Sequence, residues 1–400
     1  MKKIYLFACA TLLAFSGCTN EISEDGFVDK TNAISFSAYP TRTRALVAGD
    51  VTSENMKDDN FGVFGYFGNS PYLYVLSEVS EESSAKKAVE QKYVASSGSG
   101  SSIWEYVNPG DLKFWPNGPM NFYAYFPYSD NATFAGSDAS GDVMTIPNVN
   151  CSHDVLFAKT YTSYQERVPL IFNHAFSKIK KVEVRIGDDP DRGYVKDAGV
   201  SVEIQKVEFI NTSTSGTVKV DNSGVASYEV ASPNVTLSKD LTSHEVTVNS
   251  ENLTGTLIDN STSGGYLFAT KSTETNKVKG TGKTMWDGTN TWPEGKTLEN
   301  LGKVCLKLTC KVWNGTDSKK YYYLGTNTTY GVMYIPLTGT SADPDPINVN
   351  TFEAGKRYIY NIVFKNNVGF KSNGDPVLRP ILFKVKNVSN WSDVTVTITL

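Results

Sequence analysis

Short stretches in which apolar and polar residues alternate run the length of this chain, and clusters of Gly, Pro, Asn and Ser separate them. Period-two alternation puts one apolar row on one face of a strand, so each stretch is expected to be a half-buried β-strand. In residues 33–39 one row is Ile34, Phe36 and Ala38 and the other is Ser35, Ser37 and Tyr39. Pro40 is expected to end that ladder because it has no N–H to donate. A second strand is expected in the NFGVFGYFG run of residues 60–68, where Gly62, Gly65 and Gly68 mark bulges or close backbone approaches. Residues 103–107 and 120–125 read as two more, flanking the turn signals Pro109-Gly110 and Trp115-Pro116-Asn117-Gly118. Others follow at 168–186, 201–210, 243–248 and 352–364. In residues 393–400, Val394, Val396, Ile398 and Leu400 alternate with Thr395, Thr397 and Thr399. Residues 78–92 fit a helical turn or an edge hairpin equally well, and the SSGSGSS run at 96–102 reads as a flexible loop tip. Many short strands between turn signals are what an all-β sandwich needs.

The pattern is different at the N-terminus. Residues 1–17 carry two lysines and then an apolar run too short to span a bilayer, the form of an export signal. The Ser16-Gly17-Cys18 ending resembles a bacterial lipobox, so Cys18 is the expected lipidation site and the outer membrane the expected anchor. Burial at roughly 0.8 kcal/mol per CH₂ over several acyl chains holds a protein there. Residues 18–32 include Glu21, Glu24, Asp25 and Asp29 and suit a solvated tether. A polar loop at 165–167 suggests a division of the body into 33–166 and 167–400.

Composition narrows the function more than the fold. Tyr (22) and Phe (20) are abundant, which suits a β-rich exported protein. A net charge of -4 with acids and lysines interspersed argues against nucleic acid as a partner. Cys305 and Cys310 sit at odd spacing on one expected strand and so face opposite sides; with Cys151 they give no disulfide framework. His153, His174 and His244 lack zinc-like spacing, and His174 reads as a structural partner within a strand. The run KGTGKT at 279–284 has Lys277 where a phosphate loop needs glycine. Asp188, Asp189 and Asp191, and likewise Asp343 and Asp345, read as solvated turns because their order does not match a calcium loop. Trp286 and Trp292 read as loop anchors ahead of sugar-stacking platforms. With no catalytic constellation, metal set or cofactor motif, the expected class is non-enzymatic.

Thr41-Arg42-Thr43-Arg44 is either a basic loop after the first strand or a cut site for a trypsin-like or Arg-specific protease. Phe114-Trp115-Pro116, Asn121-Phe122-Tyr123-Ala124-Tyr125 and Pro127, with the earlier FGVFGYF and ISFSAYPTRTRA runs, resemble the fimbrillin family, the lipoprotein pilus subunits of protease-mediated pili. VPLIFNHAFSKIKKVEVRI at 168–186, FEAGKRYIYNIVF at 352–364, and Val388 with Trp391 fit the same pattern, so the resemblance spans nearly all of 18–400. It implies two tandem transthyretin-like β-sandwich domains in a structural subunit. An Arg-specific extracellular protease would cut it between Arg44 and Ala45, with Arg42 the second choice. The strand carrying Ile34 and Phe36 would then leave, and a strand from another fimbrial subunit would fill its slot. Val394, Val396, Ile398 and Leu400 form the implied donor face. A stalk role is favoured over tip or anchor because Arg44 and the alternating tail occur together. The alternative is a lipid-anchored monomeric adhesin that binds a host or bacterial surface glycan or protein.

Overall fold

The computed structural model describes residues 33–40, 51, 55–68, 70–73, 75–76, 86–95, 103–135, 142–164, 167–186, 200–231, 235–242, 245–249, 254–261, 264–269, 303–315, 319–335, 337, 351–364, 382–386 and 392–399; in 70–73, 75–76, 86, 142–143, 200, 235–236, 363, 382–386 and 392–399 the backbone alone is described. No α-helix occurs among them.

The strands of the first half are β1 (Phe36–Pro40), β2 (Phe61–Phe67), β3 (Ser70–Leu73), β4 (Val75–Leu76), β5 (Lys86–Lys87), β6 (Val89–Val94), β7 (Ile103–Tyr106), β8 (Met120–Phe126), β9 (Thr133–Phe134), β10 (Asp142–Asn150), β11 (Leu156–Thr162) and β12 (Val168–His174). There follow β13 (Phe176–Ile186), β14 (Val200–Thr212), β15 (Ser215–Asp221), β16 (Ala226–Val230), β17 (Val235–Asp240), β18 (Val246–Val248), β19 (Thr254–Asp259) and β20 (Tyr266–Phe268). The last are β21 (Cys305–Asn314), β22 (Tyr321–Leu324), β23 (Gly331–Ile335), β24 (Lys356–Phe364), β25 (Leu382–Lys386) and β26 (Ser392–Thr399).

The all-β expectation holds, and the first half goes beyond a simple pair of sheets. Its largest sheet runs β3-β2-β6-β7-β1-β12-β11-β8, and β2 also pairs with β8, so seven strands close into a ring with β3 attached to β2. Alternation decides what goes inside: Phe122, Ala124 and Phe126 of β8 and Val168, Leu170 and Phe172 of β12 fill the interior with Ile34, Phe36 and Phe61. The opposite rows, including Phe64, Tyr66, Tyr123 and Tyr125, face outward onto a second sheet, β16-β15-β10-β9, and meet its Met144, Ile146, Val218 and Val220. Gly62 permits this packing, because a Cβ there would lie 2.5 Å from the Tyr125 ring.

In the second half, sheets β19-β13-β24-β26-β25 and β17-β14-β21-β22 share a third core, with Val182, Val184, Tyr360 and Ile362 on one side and Val202, Ile204, Leu306 and Leu308 on the other. The loop at 165–167 falls between β11 and β12, which pair with each other in the ring. β15 and β16 likewise join β10 of the first half. β12 leads directly into β13 with only Ala175 between them, and Phe176, Tyr266 and Phe268 enter the core on the outer wall of the ring.

Candidate assembly site

β1 is the strand that closes the ring. On one side it runs parallel to β12, with Phe36 to Pro40 opposite Val168 to Phe172. Val168 N–H donates to Ser35 O at 2.8 Å. Parallel pairing then gives Ser35, Ser37 and Tyr39 the bonds to β12, and turns the backbone groups of Ile34, Phe36, Ala38 and Pro40 toward β7. On that side the ladder is the single pair Phe36 and Trp104. Ile34 N–H adds a bond to Lys113 O at 2.8 Å, and the Tyr106 hydroxyl donates to Ile34 O at 2.9 Å. Pro40 therefore ends the strand where β7 no longer asks for an N–H.

Side chains hold β1 more than its ladder does. Ile34 and Phe36 are completely buried. The Phe36 ring lies edge-on to Phe61 at 6.2 Å and to Phe122 at 5.6 Å. Facing outward, Tyr39 is 52% exposed beside its register partner Ile171, at 57%. Arg42, Arg44 and Ala45, which follow β1, lie outside the described residues, as does Cys18.

The tail has a different setting. β26 lies between β24 and β25 in the chain's own sheet, parallel to β24 and antiparallel to β25. Val394, Val396 and Ile398 are in register with Tyr358, Tyr360 and Ile362, the β24 residues that face the core. Leu400 lies outside the described residues.

His174 is found as a structural partner: its Nδ1 lies 2.6 Å from Asp154 Oδ2, and both side chains are buried. With the bond from Ala175 N–H to Val155 O, this pair ties the entry to β11 to the end of β12, the strand on which β1 is laid. Burial pushes the Cys151 thiol well up and the Cys310 thiol to about 12, so neither is a reactive thiolate. His153 is exposed beside Ser152. His244, the 279–284 run, Asp188, Asp189, Asp191, Asp343, Asp345, Trp286 and Trp292 lie outside the described residues. Among the described residues, no three His, Cys, Asp or Glu side chains come together as a metal site.

Two residues of the ring escaped sequence reasoning, Tyr106 and Gln91. The signal for Gln91 was present: it interrupts the apolar row of Val89 and Tyr93 with an amide, at a position that is completely buried.

The sequence matches the family model described as fimbrillin-like over residues 43–375, a span that leaves out both β1 and β26. No curated protein matches it. Among solved structures it is similar to a fimbrial protein from Bacteroides vulgatus ATCC 8482, 16% identical, covering 85% of this chain and 96% of that chain, with a TM-score of 0.47. It is also similar to a protein named for cell adhesion from Parabacteroides distasonis ATCC 8503, 12% identical, covering 92% and 96% of the two chains, with a TM-score of 0.45. With the family model matched over most of its length, the chain belongs to the fimbrillin-like family.

Proposed function

We propose that this chain is a fimbrial stalk subunit held unassembled by its own first strand, and that assembly begins when proteolysis frees that strand. The family accounts for a fimbrial or adhesive role at the cell surface. The finer reading rests on one observation: β1 closes the ring with a ladder to β12 on one side and a single pair to β7 on the other.

The energetics favour such a device. Burying Ile34 and Phe36 contributes about 1.5–3 kcal/mol each, while ordering the backbone costs about 1–2 kcal/mol per residue. Over residues 34–40 the ordering cost exceeds what these two side chains contribute, so covalent attachment, which makes the strand's binding intramolecular, holds much of the balance. A cut after Arg44, or after Arg42, makes β1 a separate ligand. Its departure leaves β12 with an unpaired edge beside a furrow walled by Phe61, Phe122 and Phe172, a state that captures another extended strand. Val394, Val396, Ile398 and Leu400 of a neighbouring subunit fit that furrow as alternate apolar side chains. Lipid on Cys18 keeps the precursor at the outer membrane until an Arg-specific extracellular protease acts.

Replacing Arg42 and Arg44 together by Ala is expected to give a folded, lipid-anchored monomer, and Cys18→Ala to abolish palmitate labelling. N-terminal sequencing of assembled wild-type material is expected to begin at Ala45. A polymer whose subunits begin at Cys18, with Ile34 and Phe36 still attached, would overturn the reading.

A further inference from the structure

We infer that Gln91 selects among the strands that replace β1, favouring one with a hydroxyl or amide where β1 carries Ile34. The partner it fits is then an extended strand of a different subunit, because the tail of this chain is apolar at the matching position. The inference rests on the exchange reading above and adds to it the identity of the preferred donor.

Gln91 is completely buried, and neither its Oε1 nor its Nε2 has a hydrogen-bond partner. It shares the inward row of β6 with Val89, which belongs to the core of the ring. A buried amide left unpaired is costly, and folded proteins rarely keep one. Gln91 is in register with Phe61 on β2 and with Tyr106 on β7. The antiparallel pair of Phe36 with Trp104 puts Ile34 at the level of Tyr106, whose hydroxyl reaches Ile34 O. Position 34, Tyr106, Gln91 and Phe61 therefore lie on one level of the wall. With neighbouring strands about 4.8 Å apart, Gln91 and position 34 stand roughly 10 Å apart at the backbone. An extended Gln side chain and a short hydroxyl side chain together cross that gap, whereas Ile34 offers only methyl groups. Trp115 Nε1, packed against the same core, is a second buried donor without a partner. β1 thus matches the interior in shape and leaves some of its polarity unused.

A tail laid in the slot parallel to β12, with its four apolar positions in place of Ile34, Phe36, Ala38 and Pro40, puts Val394 opposite Gln91. It would leave the amide as unpaired as β1 does. Val394→Thr keeps the side-chain shape and exchanges a methyl for a hydroxyl, a change that weakens binding in a purely apolar slot.

The test uses the full chain cut by an Arg-specific protease in the presence of a synthetic peptide DVTVTITL, the sequence of residues 393–400, or its Val394→Thr form, with capture followed by native mass spectrometry. The Thr form is expected to bind about tenfold more tightly, equivalent to about 1.4 kcal/mol, and the order to reverse in Gln91→Leu and Gln91→Met. Equal or weaker capture of the Thr form by the wild type overturns the inference and leaves the exchange reading standing. A preference for the Thr form that survives both Gln91 variants removes Gln91 from the role. Capture of neither peptide overturns the exchange reading and this inference together.

Discussion

β1 and β26 each lie parallel to an inner strand, and the molecule holds them by different means. β1 has a ladder of five pairs to β12 and one pair to β7. β26 has eight pairs to β24 and five to β25. β1 is retained by the side chains it contributes to the ring, with one backbone edge nearly open; β26 is bonded along both edges. The contrast locates the barriers of the proposed exchange. β1 can peel from its weak edge once it is cut, whereas a tail that leaves β26's position must break both of its ladders and regain them in the next subunit.

The largest effect that would break this contrast is expected from Ile398→Asp. A charge on the proposed donor face would be buried without a partner, at a cost that can exceed what the strand contributes. High-molecular-weight ladders on native electrophoresis should disappear, and because β26 pairs with both β24 and β25 the monomer should lose stability as well. Ladders as strong as those of the parent would remove the tail from the donor role, and a monomer as stable as the parent would mean that the two ladders of β26 do not hold the tail. Phe36→Ala comes next: it should lower the stability of the uncut chain by about 3–5 kcal/mol in urea titration and leave the processed, assembled form unchanged. An equal loss in both forms would mean that β1 never leaves. The smallest effect is expected from Tyr106→Phe, which removes the bond to Ile34 O. It should cost the uncut chain about 0.5–1.5 kcal/mol and speed the loss of β1 after cutting. An unchanged release rate would show that the β7 edge contributes nothing to retention.

What could be read in advance follows from what alternation encodes. Period two fixes which face of a strand is inward, and so Ile34 and Phe36 were identifiable as core before any fold was known. It does not fix which strand lies beside which. Closure of the ring through β2 and β8 joins Phe64 to Tyr123 across an interval that no local pattern spans. The parallel setting of β26 beside β24 is equally silent in the sequence. The loop at 165–167 shows the same limit, since polar turn residues serve a hairpin as well as a domain boundary, and here they lie between paired strands. Residues 78–92 fit a helical turn or an edge hairpin alike because they are polar, with Lys86, Lys87 and Glu90, and within the strand found there Gln91 breaks the apolar row, the oddity that makes it a candidate reader of the incoming strand. His174 was legible as a structural residue, but its partner Asp154 lies twenty residues away in sequence.

The chain from Val168 to Ile186 is extended throughout except at Ala175, with β1 laid parallel along its opening stretch and β24, itself parallel to β26, along its later one. In a fibre joined at those two positions, tension would enter a subunit through the slot and leave through the tail, passing along this run and across its ladder to β24. Both joints would then be pulled along the strand axis, in shear. Under shear the bonds of a ladder share the load and yield together, whereas a strand pulled sideways unzips one bond at a time.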